Sequence, residues 1–153
     1  MIIFIRLLFL ASWFSLGLAS KQSIKRYLPV TFFAGLYAIT VVLIGNHYNF
    51  WETKDHPKKR MWNHLTLVLG PFTLANFWIF NFTYGKFKRY FLTNIINNIV
   101  YGFAIIPLLR KANYLLYERF TKFHHIIFTM TFSLVFYRFQ MFFEKLSPNK
   151  GHK

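Results

Sequence analysis

Apolar positions in this chain gather into five stretches, each about 20 residues long, at 1–20, 27–45, 65–84, 90–109 and 123–143. Charged residues, nearly all basic, sit mostly between them. A helix of that length spans the ~30 Å hydrocarbon core of a bilayer. The pattern therefore predicts an all-α polytopic membrane protein with five transmembrane helices. They form a single bundle over 1–146, followed by a flexible basic tail at 147–153.

Local residues refine each segment. The first stretch is interrupted by Arg6 and ends near Gly17-Leu18-Ala19, small residues of the kind that precede signal-peptide cleavage. Its apolar run is long and carries the bulky Trp13 and Phe14, so it reads as an uncleaved helix; cleavage after Ala19 would leave four helices. In the second stretch Thr31, Ala34, Gly35 and Ala38 share one helix face, a seam that lets backbones approach closely. Pro29 falls in the expected first turn, where its missing N–H costs nothing. Gly70-Pro71 predicts a kink or break in the third stretch. The fourth ends near Pro107.

Composition agrees with this reading. Hydrophobic residues make up 55% of the chain and charged residues 15%, below the roughly 25% usual in soluble domains. Nineteen Lys and Arg face four acids. Spread over turns rather than gathered on one face, they do not form a nucleic-acid footprint. In loops at a membrane surface each would gain about 1 kcal/mol from anionic headgroups. Two clusters stand out: Lys58, Lys59 and Arg60, and Lys86, Lys88 and Arg89, the latter interleaved with Phe87 and Tyr90. Both are candidate contacts for anionic lipid. The absence of cysteine excludes disulfides, thiolate metal sites and thiol catalysis.

Charge does not orient the chain. With five alternating helices, one side receives Lys21, Lys25, Arg26, Lys86, Lys88, Arg89, Lys145, Lys150 and Lys153. The other receives Arg6, Lys54, Lys58, Lys59, Arg60, Arg110, Lys111, Arg119 and Lys122, a tie of nine to nine.

Two helices carry polar stripes. Asn94, Asn97, Asn98 and Tyr101 fall within an arc of about 100°. His125, Thr129, Ser133, Tyr137, Gln140 and Glu144 fall within about 120° on the last helix. Amides facing lipid would leave polar groups unmet, at several kcal/mol each, so these stripes should face each other. They act either as interhelical hydrogen-bonding glue or as a polar track for a solute. The candidate track comprises Asn94, Asn97, Asn98, Tyr101, Thr129, Ser133, Tyr137 and Gln140. Arg138 points away and can snorkel to headgroups.

His47, Glu52, Asp55, His56 and His64 evoke a metal site, but Pro57 discourages a helix there and Lys58, Lys59 and Arg60 repel a divalent ion. No metal and no cofactor is expected. No HExxH, GxSxG or P-loop is present, so the chain leans away from enzymology.

Tyr84-Gly85-Lys86-Phe87-Lys88-Arg89-Tyr90-Phe91 before an Asn-rich helix, Leu69-Gly70-Pro71-Phe72, and Phe139-Gln140-Met141-Phe142-Phe143-Glu144 carry a resemblance. Over about 27–145 the chain resembles uncharacterised small polytopic membrane proteins of bacilli and other endospore-forming Firmicutes. That resemblance implies a multi-pass protein of the bacterial cytoplasmic membrane and brings no activity or site residue. The expected function is non-enzymatic, exerted through helix–helix or lipid contacts. The alternative is a small transporter or channel-like carrier with its path between the fourth and fifth helices. Expected partners are the bilayer, its anionic lipids, and a second copy or another membrane protein.

Overall fold

A computed structural model describes residues 2–48, 57–112, 114 and 122–146. The expected tail at 147–153 lies outside them, as do Glu52, Asp55 and His56. Among the described residues every regular element is helical. In chain order they are α1 (Ile2–Leu18), α2 (Lys21–His47), α3 (Lys58–Thr83), α4 (Phe87–Lys111) and α5 (Lys122–Leu146). Four of them, α2 to α5, are long and apolar enough to cross a membrane; α1 is apolar but shorter.

The helices begin earlier than hydropathy alone indicates. The Ser20 hydroxyl accepts a bond from the Ser23 backbone N–H at 3.0 Å, a side-chain cap that starts α2 at Lys21. Pro29 therefore stands inside α2 and not in its first turn. Lys, Gln and Arg are good helix formers, so polar flanks extend a helix beyond its apolar run. The same effect starts α3 at Lys58 rather than at 65.

Proline widens two helices. At Gly70 the backbone leaves helical geometry (φ −90°, ψ −105°), the kink that Gly70-Pro71 predicts. Pro71 cannot donate its bond and its ring crowds the carbonyl one turn back, so Val68–Phe72 relaxes into a π-helical turn. The Thr73 hydroxyl donates to the Val68 carbonyl at 2.7 Å. A second π turn, Tyr101–Ile105, lies just before Pro107 in α4.

Helices α2, α3, α4 and α5 pack in a ring that closes from α5 back to α2. The small-residue face of α2 is buried against α3, where a Cβ on Gly35 would lie 3.3 Å from Thr73 Oγ1. Tyr27, Val30, Ala34, Phe77, Phe80, Tyr90 and Phe136 form the main core. Arg26 Nε donates to Glu144 Oε1 at 2.6 Å and ties α2 to α5. α1 changes from α-helix to 3₁₀-helix at Ser12 and runs beside α3. There the Arg6 guanidinium donates twice to Asn63 Oδ1, at 3.0 and 2.7 Å, and Trp13 Nε1 donates to the Leu69 carbonyl at 2.8 Å.

Candidate functional site

Beside the main core the helices of the ring do not fill its interior. The ring encloses a cavity of about 370 Å³ to which all five helices contribute. Both π turns border it, through Val68, Pro71 and Phe72 on one side and Tyr101 and Ile105 on the other. A widened turn displaces the helix wall, and such turns recur at functional sites. Most of the lining is apolar and aromatic, including Phe9, Tyr37, Phe128 and Phe132.

The polar part of the wall comes from three helices. From α4 come Asn94, Asn97, Asn98 and Tyr101; from α5 come His125, Thr129 and Ser133; from α3 come His64 and Asn76. The α4 and α5 stripes meet directly. Ser133 Oγ donates to Asn94 Oδ1 at 2.9 Å, and the Tyr90 hydroxyl donates to the Ser133 carbonyl at 2.8 Å. Asn98 Nδ2 reaches Met130 Sδ at 3.4 Å, a weak bond. Tyr101 stacks on His125 with ring centroids 4.8 Å apart. Thr129 turns its hydroxyl onto its own helix, to the His125 carbonyl at 2.8 Å. Asn94 and Asn98 are buried, whereas Asn97 is exposed and lies at the rim. His64 Nδ1 donates to the Arg60 carbonyl at 2.9 Å.

Tyr137 and Gln140, assigned by the helix wheel to the same track, sit away from the cavity. The Tyr137 ring packs 4.8 Å from Tyr90, within a cluster that includes Phe80, Tyr84 and Phe87. Gln140 is fully buried; its Nε2 donates to the Arg26 carbonyl at 3.1 Å and to Glu144 Oε1 at 3.0 Å. The Arg26 guanidinium also lies over the Tyr84 ring at 5.2 Å. Burial, then the adjacent Glu144 carboxylate, raises the Tyr84 phenol pKa. These groups form a clamp at one end of the ring.

The charged candidates divide as well. Lys58, Lys86, Lys88 and Arg89 are exposed, Lys59 is half-buried, and Arg60 is buried against the helices. Among the described residues no three His, Asp or Glu stand close enough to hold a metal ion.

Sequence reasoning missed the α3 wall. His64 and Asn76 are isolated polar residues without a helical stripe. The signal that pointed there was the Gly70-Pro71 pair between them. Comparison with family models, curated proteins and solved structures finds no match for this chain.

Proposed function

We propose that this is a multi-pass, non-enzymatic membrane protein that binds a small molecule in the cavity between its helices, the carrier-like reading of its polar stripes. The observation that carries it is the 370 Å³ cavity, a largely apolar space to whose wall the polar faces of α4 and α5 contribute. Its volume falls within the roughly 300–1,000 Å³ of typical ligand pockets. The stripes bond to each other at Asn94 and Ser133, and the cavity lies beside that contact.

Four helices are long and apolar enough to cross a membrane, which supports the multi-pass reading. We count α1 as a fifth crossing. Ten α-helical and seven 3₁₀ residues extend about 29 Å, close to the hydrocarbon thickness. A bacterial cytoplasmic membrane is the location that the resemblance noted in the sequence would imply. The exposed Lys86, Lys88 and Arg89 support contact with anionic headgroups at one face, a second role that needs no cavity.

Native mass spectrometry of the purified chain tests the binding role. The wild type should carry a small-molecule adduct that Ser133→Phe, which fills the cavity, loses. Leu134→Phe, one residue on and exposed, should keep it. An adduct equally abundant in both variants, or none in the wild type, would overturn the reading.

A further inference from the structure

We propose that the cavity takes an uncharged lipid bearing a hydroxyl group, which enters sideways from the hydrocarbon past Asn97 and Val100. This rests on the cavity being a binding site and adds the ligand class and route.

Charge on the wall comes first. Among the described residues, no Lys, Arg, Asp or Glu lines the cavity. A charged head group placed there would lose its hydration without gaining a counter-ion. The ligand that fits is neutral.

Hydrogen bonding gives the head group. Asn94 is satisfied on both sides: its Nδ2 donates to the Tyr90 carbonyl at 2.9 Å and its Oδ1 accepts from Ser133. Asn76 and Asn98 are not. Asn76 Nδ2 donates to the Phe72 carbonyl at 3.0 Å, and Asn98 Nδ2 to Met130 Sδ. Both partners only accept, so each amide's orientation is fixed and its oxygen lies on the other side. Among the described residues nothing donates to Asn76 Oδ1 or Asn98 Oδ1. Both side chains are deeply buried, 8% and 5% exposed, and both line the cavity. At these two buried positions the wall thus offers spare acceptors and asks for a donor. A water molecule would need two to four polar partners, which a largely aromatic wall does not supply throughout. A hydroxyl at the end of an apolar chain meets both demands at once.

Exposure gives the route. Of the described lining residues, only Asn97 and Val100 are exposed, Val100 by 49%. Both stand near the middle of α4, Phe87–Lys111. An opening at that depth gives onto acyl chains, not onto water.

The test uses the full chain in phosphatidylcholine nanodiscs and three diazirine probes of equal chain length: a long-chain alcohol, its methyl ether and the corresponding fatty acid. Photolabelled positions are mapped by mass spectrometry. The alcohol should label Phe128 or Phe132 about tenfold more than the ether, the factor that ~1.4 kcal/mol represents. Asn98→Leu should bring the alcohol down to the ether's level, while labelling at the lipid-facing Phe142 stays unchanged and reports an intact fold. The alcohol-to-ether ratio on the unaltered chain stands even if that variant fails to fold. Equal cavity labelling by alcohol and ether, or preference for the acid, would overturn hydroxyl recognition and leave the cavity a binding site. Labelling of Phe142 without any in the cavity would overturn both.

Discussion

Replacing Gly70 by Ala should unseat α1. A Cβ at Gly70 would stand 2.8 Å from the Phe9 carbonyl carbon and 3.1 Å from Phe9 Cβ. The first of these is backbone, so no side-chain rotation relieves the clash and α1 must move outward. Overpacking of this kind costs about 1–3 kcal/mol. The bond most exposed to the shift is Trp13 Nε1 to the carbonyl of Leu69, the residue next to the substitution. Arg6, one turn before Phe9, loses its fit to Asn63 as well. Equilibrium unfolding in mixed detergent, followed by circular dichroism, measures the loss. A double-mutant cycle tests its cause. Arg6→Ala should be costly in the wild type, since it removes charge-assisted bonds worth about 1.5–3 kcal/mol, and nearly silent beside Gly70→Ala. Gly35→Ala is the control: its nearest neighbour is a Thr73 hydroxyl at 3.3 Å, a side chain that can yield. Wild-type stability in Gly70→Ala, with additive effects of the two substitutions, would refute the packing of α1 over Gly70.

Glu144→Gln should cost no more than about 1 kcal/mol, since the Arg26–Glu144 pair is 44% and 30% exposed and partly screened by solvent; thermal unfolding at low and high salt checks it, with the difference from wild type shrinking at high salt. Charge reversal at Lys86, Lys88 and Arg89 should weaken binding to phosphatidylglycerol vesicles, and the wild-type preference over phosphatidylcholine should itself fall with salt; salt-independent binding unaffected by the reversal would remove the lipid role. On this cysteine-free chain, single cysteines at Gln22, Lys86 and Lys145 should react with an impermeant thiol reagent from one side, and those at Lys58 and Lys111 from the other; labelling of residues 58 and 86 from the same side would refute the alternation.

The helices were legible because apolar runs of membrane length leave few structural choices. Their boundaries were not, because Ser20 caps a turn whose residues are polar. Hydropathy sees Lys21, Lys25 and Arg26 as a loop, whereas the backbone sees good helix formers. The Gly70-Pro71 kink could be read from two letters; its consequence, a displaced wall, could not. The site was half legible. A helix wheel orders residues by angle and has no depth coordinate, so it grouped Tyr137 and Gln140 with Thr129 and Ser133. Along α5 these pairs lie at different heights, one in the clamp and one at the cavity. The wheel likewise placed Asn97 with Asn98, although consecutive residues point about 100° apart, and one ended at the rim while the other is buried.

The cavity lies where the backbone of two helices widens. At the clamp end, Arg26, Gln140 and Glu144 hold α2 to α5, and the rings of Tyr27, Phe80, Tyr84, Tyr90 and Tyr137 fill the space between helices. Farther along, α3 and α4 each widen by a π turn associated with a proline. Two walls of the ring are thereby displaced near Asn76, Asn98 and Tyr101, where the polar groups gather. Several side chains facing the space are large, Phe9, Phe72, Phe128 and Phe132 among them, and rigid aromatic rings do not reach across a gap as Met or Lys would. A void left by imperfect packing would be bordered by whichever residues happened to fall short. Here two proline-associated π turns, rigid aromatic rings and the unspent acceptors of Asn76 and Asn98 meet at one cavity, and the proposed binding role rests on that coincidence.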